Sequence, residues 1–386
     1  MKKTKDVHTL LLSISIFYFV FYNSMWKQLY TSKVFYDIRY LILMTMVISL
    51  VFKVINSGIY NDKIIAFVML CFFSTWAYLI ERDSAIILFS FFSMYCLYIP
   101  IIQIIRAYTF GVFSAISLVV FFSLIGVLPV KVELLSFGFD NPNTLAFYIM
   151  LVSISIVTLN WNTSKPRVFI FYFIALIFCE FLLSAETAFY SMILFIMCYF
   201  VVNKKDDINI FLKWLMICFP FFVTLICWYL GISFGKYNWT FKVNHFFSSR
   251  IEIWNYYLST YPVRLLPQKV ELIKANDFVK IFFGNNLSPL MSGAFDGAFI
   301  YKLVTQGLII SLIILFLLSW SMKQILNWKI LPLAILYSVL LIYSITETVP
   351  LAFIDYFQSY FLITCIVLFV NKATAFNEIK EYYQNN

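Results

Sequence analysis

Apolar runs of about 17 to 25 residues recur from one end of this 386-residue chain to the other. A helix needs that length to cross the roughly 30 Å hydrocarbon core of a bilayer. Hydrophobic residues make up 62% of the sequence, charged residues only 12%, and the mean hydropathy is +0.88, which excludes an ordinary soluble domain. Because backbone polar groups in lipid must be hydrogen-bonded internally, the runs predict an all-α integral membrane protein.

Charges, prolines and Asn/Gly clusters divide the chain into a bundle of about 12 transmembrane helices with one large external loop that contains short amphipathic helices. The predicted regions are residues 1–231 with the first nine helices, the loop 232–296, and residues 297–386 with the last three helices and a cytoplasmic tail. The predicted spans are 9–26, 36–55, 64–80, 84–105, 108–128, 142–160, 168–183, 187–202, 209–231, 297–320, 329–346 and 350–371. We interpret the first run as a retained helix, since it is too long for a signal peptide and no small-residue cleavage site follows it.

The formal net charge of +9 is compatible with nucleic-acid binding, but its distribution is that of a membrane topology signal. With the N-terminus inside, most basic residues of the short connections fall on inner segments such as 203–207, and few fall on outer ones. Both termini are therefore predicted to be cytoplasmic. This orientation places the polar segments 131–143, 182–187, 232–296 and 346–350 together on the outer side.

The sequence offers few residues for metal or nucleotide chemistry. All seven cysteines fall inside apolar runs, which favours a packing role, and the two histidines have no thiol near them in sequence. We find no phosphate-binding glycine loop and no internal repeat. The sequence therefore predicts no metal site and no bound nucleotide.

The large loop carries "FFSSRIEIWNYYLSTYP" at residues 246–262. Its apolar side chains repeat at helical spacing at Ile251, Trp254 and Leu258, which predicts an amphipathic helix at the membrane interface. Ser248 or Ser249 is the predicted cap. Arg250 then lies in the first turn, where a cation opposes the helix dipole, so we expect an anionic partner for it. The alternative is an arginine that reaches lipid headgroups.

The rest of the loop is basic, with Arg264 among its cations, and this charge suits either a phosphate-bearing ligand or anionic lipids. Asp296 opens the tenth predicted span, where a carboxylate is a good cap as well as a candidate site residue. Glu186, Glu347 and Asp355 lie close to apolar runs, and ionisable groups at membrane depth usually face a polar cavity.

"GFDNPNTLAFYIM" at residues 138–150 places Asp140, Asn141, Pro142 and Asn143 directly before an apolar run. Asn141 is a good N-cap and Pro142 a good first helical residue. The predicted topology points this helix start outward, so its free N–H groups face the same compartment as Arg250 and Asp296.

With these residues in place, the chain resembles the Wzy-type O-antigen and capsular polysaccharide polymerases, and more distantly the O-antigen ligases. "GFDNPNTLAFY" is similar to the Asn-Pro-Asn segment that opens a middle span in that family. "SSRIEIW" is similar to its Ser-Gly-Arg stretch followed by Trp, carried here on Arg250 and Trp254. "DGAFIYKLVTQGLII" is similar to the His-Asn, nine residues, Gly pattern of the ligases, with Asp296 and Gly297 at the pair and Gly307 at the glycine.

Two departures from the family pattern affect the expected chemistry. Asp296 stands where the ligases have histidine, which favours a polymerase. Glu186 stands where many relatives have arginine, so Arg250 and Arg264 would carry more of the anion binding.

The resemblance implies a metal-independent glycosyl transfer without a cofactor, in which an oligosaccharide on undecaprenyl pyrophosphate moves to the non-reducing end of another lipid-linked repeat. Arg250, assisted by Arg264, would neutralise the pyrophosphate, and a carboxylate would orient or deprotonate the acceptor hydroxyl. The catalytic candidates are Arg250, Asp296, Glu186 and Glu347. The substrate-binding candidates are Arg264, Asn141, Asn143, Trp254, Asp140 and Asp355.

The implied location is the bacterial cytoplasmic (inner) membrane, where the protein would be multi-pass. The implied partners are the lipid-linked oligosaccharide, membrane lipids, a chain-length regulator and a flippase, with no nucleic acid. The rival functions are an O-antigen ligase and a polysaccharide flippase or secondary transporter. The lack of an internal repeat and the outward polar residues count against a transporter. A structural scaffold leaves the membrane-depth acids unexplained.

Overall fold

The computed structural model describes residues 2–29, 33–57, 61–81, 85–130, 135–163, 165–202, 207–272, 295–351 and 359–385. The regular elements of this part of the chain are helices. The first nine are α1 (Lys2–Tyr22), α2 (Trp26–Leu29), α3 (Lys33–Ser57), α4 (Asn61–Glu81), α5 (Ala85–Cys96), α6 (Ile101–Leu124), α7 (Pro142–Leu159), α8 (Pro166–Ile177), which continues as a π-helical segment (Phe178–Leu182), and α9 (Glu186–Val202). The others are α10 (Ile210–Ser233), α11 (Asn238–Phe246), α12 (Arg250–Thr260), α13 (Ala298–Thr305), α14 (Gly307–Asn327), α15 (Leu331–Thr346), a 3-10 turn (Val349–Leu351), α16 (Phe361–Val370) and α17 (Lys372–Asn385).

Six helices of the described residues are long and apolar enough to cross a membrane, or seven if the bent pair α16–α17 forms one span. The six segments are Asp37–Asn56, Lys63–Ile80, Ile101–Leu124, Pro142–Leu159, Ile210–Ser233 and Gly307–Asn327. Shorter apolar helices occupy Val7–Tyr22, Ile86–Cys96, Glu186–Val202 and Leu331–Thr346. The predicted all-α fold is confirmed, and its apolar helices are those of a multi-pass membrane protein. The count of 12 spans stays a prediction.

Two predicted span boundaries are wrong. The predicted break between residues 105 and 108 does not exist, because α6 runs unbroken from Ile101 to Leu124. The real break lies at residues 97–100, since Pro100 occupies the N-cap position of α6 and has no N–H to continue a helix from α5. The predicted tenth span is divided at Gly307, which has a φ of +74° and separates α13 from α14.

The helices define two ends of the bundle. Phe147, near the start of α7, packs against Tyr343, near the end of α15, with ring centroids 5.3 Å apart. We call this the cluster end, where α7 begins and α15 ends. At the opposite end, which we call the tail end, the hydroxyl of Tyr383 on α17 donates to the carbonyl of Thr158 at 3.2 Å. The helix α9 begins at the cluster end, because Tyr199 near its other end contacts Trp161 just beyond α7.

Candidate functional site

Arg250 begins α12 directly after a tight turn that joins this helix to α11. Ser248 and Ser249 both adopt left-handed conformations, with φ of +49° and +66°. The predicted serine cap is wrong, because Ser249 lies at the N-cap position but makes no side-chain cap hydrogen bond. Asn244 on α11 takes that role instead, since its Oδ1 accepts from the backbone N–H of Glu252 at 3.0 Å.

Three charged side chains meet at the cluster end. Arg250 Nη2 donates to Glu347 Oε1 at 2.6 Å, and Arg250 Nε donates to the carbonyl of Thr346 at 2.7 Å. Asp296 Oδ2 lies 3.7 Å from Arg250 Nε. The anionic partner expected for Arg250 is confirmed, while the alternative of a headgroup contact is wrong, because the arginine side chain is only 12% exposed.

The burial of this cluster changes the proton affinities of its members. Burial lowers the pKa of Arg250, but the carboxylates of Glu347 and Asp296 outweigh it and raise the pKa, so the guanidinium stays charged. Burial raises the pKa of Glu347, and Arg250 opposes this rise. Burial and the neighbouring Glu347 raise the pKa of Asp296 to about 8, against the pull of Arg250. Protein atoms surround Asp296 on most sides, yet its side chain is 29% exposed, so this carboxyl remains accessible.

Two hydrogen bonds and a ring stack hold the segment 295–297 in place, with Asp296 beside Arg250. Trp254 Nε1 donates to the backbone carbonyl of Asp296 at 2.7 Å, and Thr348 Oγ1 donates to the carbonyl of Phe295 at 2.7 Å. The Phe295 ring stacks on Tyr257 with centroids 3.9 Å apart. Asp296 does not cap α13, because Gly297 is the N-cap residue and no side chain bonds the helix start.

Gly297 permits this close approach between the segment and α12. Its φ is +97°, and a Cβ at this position would lie 2.5 Å from Trp254 Nε1. Trp254 is fully buried, so it lies behind Asp296 rather than on an open surface for stacking on sugars. Its indole therefore positions a candidate catalytic group.

The apolar face of α12 packs on protein, which differs from the interfacial placement that the sequence predicts. Ile251, Trp254 and Tyr257 are fully buried. Asn255 Nδ2 donates to the carbonyl of Gly231 at 2.7 Å, which joins α12 to the end of α10. The helix is thereby fixed to the bundle, and so is Arg250.

The other predicted site residues lie at the edges of this cluster or elsewhere. The Asn141 cap is confirmed, since its Oδ1 accepts from the N–H of Asn143 at 2.8 Å and Pro142 is the first helical residue. Asp140 precedes this cap with an exposed side chain. Asp355 lies outside the described residues.

Glu186 and Arg264 are exposed side chains that the structure does not join to Arg250. Glu186 is the first residue of α9, so it lies at the cluster end, but within the described residues no ion pair connects it to the three charges. Arg264 follows α12, and its backbone carbonyl accepts from the N–H of Leu308 at 2.8 Å. Its guanidinium is open to the surface.

Tyr343 is a site residue that the sequence analysis missed. It is 2% exposed and packs against Phe147. Tyr343 precedes Glu347, the C-cap residue of α15, by four positions, and the N–H of Glu347 donates to the carbonyl of Tyr343 at 3.1 Å in the helical pattern. That helical spacing is the signal by which it could have been found.

The cluster can bind an anion and exchange a proton. Arg250 Nη1 makes no hydrogen bond to any described residue, so this nitrogen can donate to a ligand. Asp296 is the accessible carboxyl beside it. Among the described residues, no group of three or more His, Cys, Asp or Glu side chains could hold a metal ion.

Neither a protein family nor a curated protein sequence matches this chain.

Proposed function

We propose that this protein is a polysaccharide polymerase, a metal-independent membrane glycosyltransferase of O-antigen or capsule synthesis. It transfers oligosaccharide repeat units from undecaprenyl pyrophosphate to the non-reducing end of another lipid-linked repeat at the outer face of the bacterial cytoplasmic membrane. The observation that carries the proposal is the buried cluster in which Arg250 pairs with Glu347 at 2.6 Å and lies 3.7 Å from Asp296.

The architecture supports this function through the position of the cluster. The proposal keeps the predicted count of 12 spans, and the six long and four shorter apolar helices are among the candidates for them. The cluster lies at the opposite end of the bundle from α17. With the C-terminus in the cytoplasm, as the distribution of basic residues predicts, Arg250 faces the compartment in which lipid-linked repeats are joined.

Arg250 is the anion-binding group in this proposal. Its guanidinium keeps its charge in the buried site and offers Nη1 to an oxygen of the donor pyrophosphate. As the bond between the anomeric carbon and the pyrophosphate oxygen breaks, negative charge grows on the leaving group. A fixed cation at that position stabilises the transition state more than the ground state. Glu347, buried and bonded to the guanidinium, positions Arg250.

Asp296 is the proton acceptor for the attacking hydroxyl. The oxygen of the acceptor sugar forms the new bond to the anomeric carbon, its proton passes to the Asp296 carboxylate, and undecaprenyl pyrophosphate leaves. Burial and the neighbouring Glu347 raise the pKa of Asp296, so its carboxylate is a stronger base toward the attacking hydroxyl than an ordinary aspartate. Glu347 is less suited to this role, because it is less exposed than Asp296 and already accepts a hydrogen bond from Arg250.

The test replaces Arg250 by alanine in cells that depend on this protein for surface glycan. We expect single repeat units in place of long chains, because the leaving pyrophosphate loses its cation. Gel electrophoresis of the surface glycan measures the chain length, and membrane immunoblots confirm expression. Arg106→Ala is the matched control, since this arginine contacts Tyr382 at the tail end and should leave chain length unchanged.

The other outcomes separate the rival functions. Wild-type chain lengths in a well-expressed Arg250→Ala variant contradict the proposal. Loss of all attached glycan, with full-length polymer still on the lipid carrier, points to a ligase. Accumulation of single lipid-linked repeats on the cytoplasmic side points to a flippase.

A further inference from the structure

Helix α11 carries three different rows of side chains. Its buried row consists of two polar residues one turn apart, Thr240 and Asn244. The other two rows each have the i, i+4, i+7 spacing of one helical face: an apolar row of Trp239, Val243 and Phe246, and an exposed polar row of Asn238, Lys242 and His245. Contact with protein, apolar surroundings and water on three sides is typical of a helix at a bilayer surface.

The buried row attaches α11 to the protein. The carbonyl of Asn244 accepts from the N–H of Ser249 at 2.9 Å, and its Oδ1 accepts from the N–H of Glu252 at 3.0 Å, so α11 holds the start of α12. Thr240 Oγ1 accepts from the N–H of Gly235 at 3.2 Å, which closes the turn after α10. These contacts leave the apolar row open, and Phe246 is 82% exposed.

The apolar row continues a lipid-facing surface of α10. This helix is one of the six long enough to cross a membrane, and one of its faces consists of side chains that are each more than half exposed, Phe222, Leu225, Ile226 and Tyr229. Exposed apolar side chains on a membrane span face lipid. The Trp239 ring lies 6.5 Å from that of Tyr229, with the planes 18° apart. The apolar row of α11 therefore begins where the lipid-facing surface of α10 ends.

The residues at this boundary identify what covers the apolar row. Tryptophan and tyrosine are enriched where hydrocarbon meets headgroups, because they combine an apolar ring with a polar N–H or O–H group. Tyr237 adds a third ring beside Trp239, with centroids 6.2 Å apart and planes 13° apart. Lys236, just beyond α10, and Lys242 on the polar row are exposed cations that complement lipid phosphates.

We infer that α11 is an interfacial helix that lies on the bilayer at the cluster end, with Trp239 and Phe246 in lipid and Lys242 at the phosphates. The interfacial position that the sequence predicts for α12 belongs to α11 instead. Because α11 holds the start of α12, it keeps Arg250 near the level of the lipid phosphates. This inference does not depend on the polymerase.

The first experiment places the photoreactive residue p-benzoylphenylalanine at position 246 or 245 of the full-length protein, in nanodiscs of phosphatidylglycerol and phosphatidylcholine. The two positions are adjacent, but Phe246 belongs to the apolar row and His245 to the polar row. Mass spectrometry after irradiation measures lipid adducts, which should be about tenfold more abundant at position 246, the side that faces lipid. Comparable yields at the two positions would overturn the inference. In native membranes, adducts from position 246 to carbohydrate or to a second copy of the chain, in place of phospholipid, would do the same.

The second experiment tests the same two positions with a charge. Phe246→Asp and His245→Asp both put a carboxylate in the last turn of α11, where it opposes the helix dipole to the same extent. Phe246 is so exposed that its removal loses little protein contact. Only Phe246→Asp puts the charge into lipid, so amide hydrogen exchange within residues 238–246 in nanodiscs should be about tenfold faster in this variant than in His245→Asp. Equal exchange rates in the two variants would contradict the inference, whatever the glycan chain length of Arg250→Ala.

Discussion

Two ion pairs in this protein have the same length and different surroundings. Arg250 and Glu347 at the cluster end are separated by 2.6 Å, and so are Lys213 and Asp207. The first pair has side chains that are 12% and 9% exposed, whereas those of the second are 24% and 37% exposed. Water solvates the second pair whether or not it forms, but the first has little solvent to replace a lost partner.

The polar contacts elsewhere at the tail end extend the contrast. Asn371 donates to the carbonyl of Leu97, and Tyr383 donates to that of Thr158, so neutral groups bond the ends of helices there. The cluster end instead buries charges next to residues with left-handed backbone conformations. Neutral hydrogen bonds would stabilise a bundle at lower cost, so the buried charges indicate a function beyond stability.

The largest effect should follow from removal of Glu347. Glu347→Ala leaves the Arg250 guanidinium buried with Asp296 as its remaining anion, and we expect a loss of about 3 kcal/mol in the free energy of unfolding. Thermal unfolding in detergent measures the change. Glu347→Gln keeps an acceptor for Arg250 and should lose less. An unchanged midpoint in Glu347→Ala would show that the buried pair behaves like the exposed one.

The second effect concerns the backbone that holds Asp296. Gly297→Ala places a Cβ 2.5 Å from Trp254 Nε1 at a φ of +97°, so we expect a loss of about 2 to 3 kcal/mol together with lower activity, because the bond from Trp254 to Asp296 must break. Gly126→Ala is the matched control, since its φ is +79° but no atom lies within 4 Å of the added carbon. Equal losses in the two variants would mean that the contact with Trp254 is unimportant.

The predictable part of this fold is local in sequence. Apolar runs locate the helix bodies, because the side chains of each run are either buried in the protein or exposed to lipid. Asn141 and Pro142 define the start of α7 through contacts between residues two positions apart. Pro100 also indicates a helix boundary from sequence alone, but apolar residues continue on both sides of it, so the pattern of hydrophobicity does not show the break. The turn at Ser248 and Ser249 is not predictable in this way, because the residue that caps α12 is Asn244 on the preceding helix.

The less predictable part depends on residues far apart in sequence. The dipole argument indicates that Arg250 needs an anion, yet it does not select Glu347, which lies 97 positions away, over Glu186. Similarly, the break falls at Gly307, where φ is +74° and a Cβ would lie 2.5 Å from the carbonyl oxygen of Leu266, a residue 41 positions earlier in the chain. Such pairings follow from how the helices pack, which the pattern of a single span does not determine.

The smallest effect should come from the exposed pair. Asp207→Asn removes the partner of Lys213, whose hydrogen bond lowers the pKa of Asp207 below that of an ordinary aspartate. A lowered pKa means that the pair contributes at neutral pH and that its contribution disappears as the pH falls below about 4. Because solvent replaces the lost contact, we expect the midpoint of thermal unfolding at pH 7 to stay within error of the wild type. The chain length of the surface glycan should also stay normal.

If Asp207→Asn instead destabilises the protein as much as Glu347→Ala does, exposure is not what distinguishes these two ion pairs. The inference that the Arg250 cluster is retained for catalysis then loses its physical basis.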